Sequence, residues 1–293
     1  MTPNPIFALV IRGQRHMIFD LAEQLGFEDH IDALAVSIFE DNAEQDLFHI
    51  QALYNSESTA NDVLQSLGLD AKTECSISQL PDEDWVTLSQ QGLPPVEAGR
   101  FWIYGAHDAD KKPQNIQWPI HIEAGQAFGT GHHGTTKGCL LIFDELLKSG
   151  ESPDRVLDLG CGAGTLAIAA AKALHKAVAA SDIDPEAVNV TQQNAVQNQV
   201  GHLVKAFAAD GFDSPDLEGR TFDLIFANIL AGPLMLLAPS ILKALQKNGH
   251  VILSGILDEQ ADKVSQAFQA RDIAIKKGPS LTGWTSLLGQ KIT

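Results

Sequence analysis

The residues Val156-Leu157-Asp158-Leu159-Gly160-Cys161-Gly162-Ala163-Gly164-Thr165 have the types and spacing that most directly suggest chemistry. An apolar run enters a glycine-rich turn and a helix-forming stretch leaves it. In that setting glycines let the backbone approach a ligand closely. Two ligand classes compete for the geometry. A dinucleotide fingerprint wants glycines at offsets 0, 2 and 5, and offset 5 from Gly160 is Thr165. The run also ends in Asp158, a carboxylate pointed at the spot a pyrophosphate would occupy. It is unfavourable beside that dianion and favourable beside a positive amine or sulfonium. S-adenosylmethionine carries both positive groups, so the pattern favours it; a purely structural glycine turn is the bland alternative.

Asp182 ends the next apolar run, 22 residues after Gly160. A carboxylate there can accept two hydrogen bonds from ribose hydroxyls, which supports an adenosine ligand without choosing between a dinucleotide and adenosylmethionine. Asp184 precedes Pro185 and suits a helix N-cap. Asp210 is placed to meet an adenine amino group, or to make a loop turn with Gly211. Asn228, at the end of Phe222-Asp223-Leu224-Ile225-Phe226-Ala227-Asn228, falls at the carboxyl edge of a strand, and its amide offers both a donor and an acceptor. A helix cap is the competing role.

A second glycine-rich segment reads Ala127-Phe128-Gly129-Thr130-Gly131-His132-His133-Gly134-Thr135-Thr136-Lys137. It is not a phosphate-binding P-loop, which needs Lys directly after its last glycine. Thr135 or Thr136 can cap the helix through Leu141 to Leu147, and hydroxyls with free amides at a helix start suit a carboxylate such as that of methionine. His132 and His133 point apart and have no third ligand at metal spacing, so no metal site is expected.

The elements that must position these residues alternate. From Asp154 onward the strands are Arg155–Leu159, Ala177–Asp182, Leu203–Ala208, Asp223–Ala227 and His250–Gly255. They are separated by helices at Thr165–Leu174, Pro185–Asn198, Pro233–Gln246 and Asp258–Arg271. Such alternation predicts a mostly parallel sheet covered on both faces, closed by an antiparallel hairpin from Ala274–Lys277 and Thr285–Ile292. Before it, strand Ile6–Arg12, helix His16–Leu25 ended by Gly26, strands Ala33–Phe39 and Leu47–Tyr54, helix Ser58–Leu67 with Ser58 as cap, and strand Lys72–Leu80 follow one another. That β-α-β-β-α-β order is ferredoxin-like. Residues 81–100, with three prolines and two glycines, read as a linker, and Gly105–Gln117 as a surface loop. The domains expected are therefore 1–80 and 101–293.

Composition bounds the function. The chain has 293 residues, 44% of them apolar, and a net charge of −17, which is globular and opposes broad phosphate-backbone binding. Residues 1–100 hold 17 Asp or Glu against 4 Lys or Arg. Either this is a solvated surface, or the N-terminal part captures a basic partner electrostatically. A ferredoxin-like unit can also bind RNA. The third strand here carries Phe48 and Tyr54 but no Lys or Arg, so no direct nucleic-acid contact is expected. Three cysteines, Cys75, Cys139 and Cys161, suit a reducing compartment. The apolar stretch Ile6–Ile11 is too short for a signal core, and Ile229–Leu242 carries Pro233 and Pro239 and is too short to span a bilayer. The expectation is a soluble cytoplasmic protein without membrane contact.

Taken together, A-F-G-T-G-x-H-x-T-T, D-x-G-C-G-x-G, D-I-D-P and A-N-I-L-A-G-P-L resemble, in their order, the PrmA family, the methyltransferases of large-subunit ribosomal protein eleven. The resemblance runs from about Asp82 to the C-terminus. It implies a class I methyltransferase fold, Rossmann-like, behind a small ferredoxin-like α+β domain that recognises the substrate. It also implies S-adenosylmethionine as donor and amines of that ribosomal protein, lysine side chains or the N-terminus, as acceptors. By the same resemblance Thr136, Gly160, Asp182 and Asn228 correspond to cofactor contacts, beside Asp158, Gly162 and Asp210 from the glycine loop and strand ends. Asn228 is also expected to orient the amine. The family usually flanks the motif histidine with Thr and Pro, where this chain has His132 and Gly134. Other readings are methylation of another protein or small amine, a non-catalytic adenosylmethionine-binding module, and a nicotinamide-dependent oxidoreductase, which Thr165 and Asp158 oppose.

Overall fold

Apolar residues at every second position build the sheet of the N-terminal unit. The computed structural model describes residues 5–27, 33, 35–42, 46–70, 73–79, 95–122 and 134–292. Contacts divide the chain into Met1–Trp85 and Val86–Thr293. In the first unit β1 (Phe7–Gln14), β2 (Ala35–Asn42), β3 (Leu47–Tyr54) and β4 (Glu74–Gln79) pair in the order β2-β3-β1-β4, every pair antiparallel. This is the ferredoxin-like arrangement. Along β3, Phe48, Ile50, Ala52 and Tyr54 are buried and alternate with half-buried residues. Helix α1 (Arg15–Phe27) buries Ile18, Leu21 and Leu25 at spacings of three and four, and it runs through Gly26 instead of stopping there. Helix α2 (Glu57–Ser66) is capped by Ser56, not Ser58: the Thr59 N–H donates to Ser56 Oγ at 3.1 Å.

The second unit carries a three-stranded sheet that the sequence did not announce. Strands β5 (Val96–Ala98), β6 (Phe101–Tyr104) and β7 (Trp118–His121) fall partly in the stretch expected as linker, of which residues 81–94 lie outside the described ones. Phe101 stacks on Phe143 of helix α3 (Gly134–Lys148), and Ile103 and Ile120 join the same buried core. Arg100 Nε bonds Asp144 of that helix at 2.6 Å, and the expected loop after β6 contains a 3-10 turn at Ala106–Lys111.

The main sheet then forms from β8 (Val156–Leu159), β9 (Val178–Asp182), β10 (Val204–Ala208), β11 (Phe222–Asn228), β12 (Leu245–Leu257), β13 (Ile273–Leu281) and β14 (Trp284–Lys291). Its order is β10-β9-β8-β11-β12-β14-β13, with the first five strands parallel and the last two antiparallel. The expected α/β class, with its antiparallel closing hairpin, is observed. Thr282 and Gly283 turn that hairpin with both φ angles positive, as a two-residue primed turn requires.

Strand alternation sends residues into two cores. Val156, Val178, Leu224, Phe226 and Ile252 meet α3, α4 (Thr165–Leu174) and α5 (Pro185–Gln197). Leu157, Leu159, Ile225, Ala227 and Leu253 meet α6 (Ala231–Ala244) and α7 (Ala261–Gln269) on the other face. Helix α6 starts and ends two residues earlier than expected, because Gln246 already belongs to β12. Among the described residues, no helix is long and apolar enough to cross a membrane.

Candidate active site

Register aligns the carboxyl ends of the parallel strands. Leu159 of β8 pairs with Ser181 of β9 and Ala227 of β11, while Ala208 pairs with Asp182 and Asn228 with Ser254. Asp182, Gly160 and Asn228 therefore stand in one row at the point where strand order reverses, with two strand spacings, about 10 Å, between the outer two.

The glycine loop is held by bonds it cannot make with itself. Gly160 N–H and Cys161 N–H both donate to Ser181 O, at 2.8 and 3.0 Å, and Gly162 N–H donates to Asp182 Oδ2 at 2.8 Å. From α5, Thr191 Oγ1 donates to Gly162 O and Asn194 Nδ2 donates to Ala163 O, each at 2.8 Å. Gly160 sits at φ +74, and a Cβ there would overlap the Ile229 side chain. Gly164, at φ +79, has Thr191 Cγ2 only 2.8 Å from where its Cβ would stand. The loop is thus rigid, and side chains at these glycines would spoil either the turn or its packing. Sequence reasoning missed Thr191 and Asn194; two polar residues three apart on the inward face of an amphipathic helix were the available signal.

Asp158 is not on the rim of the crevice, as expected, but 1% exposed at the first turn of α4. Its Oδ2 accepts from the Ala167 N–H at 2.9 Å, and its Oδ1 has no partner among the described residues. Burial pushes its carboxyl up to about 7 and the Asp182 charge adds to this, against the pull of the Ala167 bond. Burial likewise raises the thiols of Cys139 and Cys161, which are neutral packing groups and not nucleophiles.

At the outer end of the row, Asp182 Oδ1 accepts from the Asp184 N–H at 3.1 Å, so both its oxygens face backbone amides while retaining lone pairs for other donors. Asp184 is the N-cap of α5, its Oδ1 accepting from the Glu186 N–H at 2.8 Å. The Ala209 N–H donates to Asp182 O, which brings exposed Asp210 beside the same strand ends. Asp210 there opens a turn closed by the Asp213 N–H, with Gly211 at φ +56. Between the acids lies Ile183, 69% exposed, an apolar side chain that the sequence reading passed over.

At the inner end, Asn228 Nδ2 donates to Thr136 Oγ1 at 3.3 Å, and Asn228 Oδ1 is buried without a partner among the described residues. Asn228 does not cap α6, whose N-cap position is Leu230. Thr135 and Thr136 lie inside the first turn of α3 instead of capping it, and Thr135 Oγ1 is also buried and unpartnered among the described residues. Such groups are rare enough in native folds to call for a ligand or solvent partner. Among the described residues no three His, Cys, Asp or Glu side chains are grouped to hold a metal ion; His132 and His133 lie outside them, with residues 127–131.

The sequence pattern of the family described as ribosomal protein L11 methyltransferase (PrmA) matches residues 21–292. The chain belongs to this family. A ribosomal protein L11 methyltransferase from Bradyrhizobium diazoefficiens is 48% identical over 231 residues, covering 78% of each chain. One from Brucella suis is 40% identical over 293 residues, 98% of this chain and 99% of the relative. Among solved structures, the ribosomal protein L11 methylase of Lactobacillus delbrueckii subsp. bulgaricus superposes with a TM-score of 0.59. It is 30% identical, covering 68% of this chain and 98% of that one. The row Asp182–Gly160–Asn228 thus lies at the strand ends of a chain in a methyltransferase family.

Proposed function

We propose that this chain moves methyl groups from S-adenosylmethionine to amino groups of ribosomal protein L11, with the row Asp182–Gly160–Asn228 as its transfer site. The observation that carries this reading is the acidic crevice, cradled by glycines and ending in an amide oxygen of Asn228 that lacks a partner among the described residues, in a chain whose family bears that activity in its name.

The residues fit the donor. Gly160 and Gly162 would let backbone approach it, Asp182 would accept from ribose hydroxyls, Asp210 would meet the adenine amino group, and exposed Ile183 would offer it an apolar surface. Thr136 and the first-turn amides of α3 suit the methionine carboxylate. Asp158 lies buried below the loop with its carboxyl raised to about 7, so the sulfonium and ammonium of a bound donor would favour its ionised form. When bound, the donor supplies a methyl group made electrophilic by its sulfonium.

The protein's own part is positioning and desolvation. Asn228 Oδ1 accepts an N–H of the incoming amine and aims the nitrogen lone pair, which matters because displacement needs near-attack geometry. Asn228 cannot take a proton, so the amine arrives neutral or loses its proton to solvent. A lysine of ordinary pKa is neutral in only about one molecule in 10³–10⁴ near pH 7, and desolvation raises that fraction. Residues 1–80 form the substrate-recognition domain, the transferase belongs to the second unit, whose described part already includes β5 at Val96–Ala98, and the acidic excess of the first part draws in a basic protein. The sparse cysteines suit a reaction in the cytoplasm.

The test is to incubate the full chain with donor and purified L11 and to read the intact mass of L11. Increments of one methyl group each are expected, mapped by fragmentation to amines. Unmodified L11, with methyl groups appearing instead on another protein of a cell extract, would move the substrate elsewhere.

A further inference from the structure

Strand β12 is irregular where it passes the transfer site. Its pairing with β14 shifts between Leu253 and Ile256, and Gly255 inside that bulge has φ +80. A Cβ at Gly255 would stand 2.7 Å from the Ile229 carbonyl carbon and closer still to its oxygen. The backbone of Ile229, the residue that follows Asn228, is therefore seated directly on Gly255, and only glycine admits it. The neighbouring Ser254 is fully buried and pairs with Asn228 in register. Its Oγ donates to Thr135 O at 3.2 Å and lies 2.9 Å from Ser286 Oγ. A Cβ at Gly138, one turn along α3, would stand 3.1 Å from Ser286 Cβ, so the helix start is pressed onto the same pair of strands.

We propose that the Ser254–Gly255 bulge is a positioning element for methyl transfer, setting the Asn228–Thr136 contact from both sides. Gly255 fixes the strand side by seating the Ile229 carbonyl. Ser254 fixes the helix side by holding the Thr135 carbonyl, one residue from Thr136. Bulges beside active sites commonly re-aim a side chain in this way. Neither residue touches the amine; both act through Asn228, so the inference rests on the reading of Asn228 given above.

A double-mutant cycle with the full chain and L11 tests it. Gly255→Ala is expected to lower kcat about 10²-fold, the scale of a displacement near 1 Å. Donor affinity by calorimetry should stay within about threefold in Gly255→Ala, which disturbs the strand side at Ile229 and leaves the Ser254–Thr135 bond that holds the helix side, where Thr136 would meet the methionine carboxylate. Asn228→Ala should lower kcat comparably, and adding Gly255→Ala to it should cost no more than about threefold further. If Gly255→Ala does not fold, Ser254→Ala serves, with an expected loss of about tenfold that again vanishes in the Asn228→Ala background. An unchanged kcat in Asn228→Ala would overturn the role of Asn228, and the positioning role with it. A large loss in Asn228→Ala, with bulge substitutions that cost nothing or cost as much again on top of it, would overturn the positioning role alone.

Discussion

Replacing Asp158 with asparagine should change how stability depends on pH. Burial lifts the folded-state carboxyl from its ordinary 3.8 to about 7. Between those values the folded chain binds a proton that the unfolded chain has released. The stability tied to this group is therefore complete below pH about 4 and is lost as pH rises through about 7. The full loss is about 4 kcal/mol, of which about 2.5 kcal/mol falls between pH 5 and pH 8. The Asp158→Asn variant would retain an acceptor for the Ala167 N–H but cannot ionise there, so its curve lacks that loss. The new amide would face the position where Asp158 Oδ1 has no partner among the described residues, a constant cost of about 1–3 kcal/mol at every pH. The wild-type minus variant difference should thus shift by about 2.5 kcal/mol from pH 5 to pH 8, in favour of the variant at high pH. Guanidinium unfolding followed by tryptophan emission reads this, since Trp102, Trp118 and Trp284 lie in the second unit. Parallel curves would mean that Asp158 is ionised throughout, and the assignment of its burial would be wrong.

Other outcomes follow from the same geometry. Asp182→Ala removes a charged acceptor from the crevice and the anchor of Gly162, and should weaken donor binding about 10²-fold by calorimetry. The rate of methyl transfer to a lysine should rise about tenfold per pH unit between roughly pH 6 and 9, while an N-terminal amine would level off near pH 8. Stopped-time assays on the two classes of site separate these profiles. Raising the salt from about 0.05 to 0.5 M should lower kcat/KM for L11 severalfold with little effect on donor affinity, because exposed charges are screened within a Debye length. A salt-independent kcat/KM would remove the electrostatic capture role from the acidic N-terminal unit.

Much of the fold was legible because buried parallel strands read as short apolar runs and helices as longer amphipathic ones. The row of strand ends followed from those runs. The small sheet β5–β7 was not legible: Phe101–Tyr104 follows a stretch rich in Pro and Gly, and Trp118-Pro119 carries a strand-breaking residue. What holds it is the packing of Phe101 and Ile103 and the Arg100–Asp144 pair, whose partners are 44 residues apart. Asp158 was correctly placed at a strand end but misjudged in direction. Strand alternation puts it on the face of Val156, beneath α4, and not on the face of Leu157 and Leu159. Ile183 was missed because an isoleucine beside two acids reads as core until its exposure is seen. Ser254 and Gly255 were missed because a bulge is a property of two strands together, and an apolar run such as Val251–Leu257 does not reveal its register.

A crystal grown with S-adenosylhomocysteine tests the central claim most directly. The product should lie across the carboxyl ends of β8, β9 and β11, its ribose on Asp182 and its sulfur directed toward Asn228. Density for the product at any other place on the chain, with the Gly160–Gly164 loop bare, would contradict it.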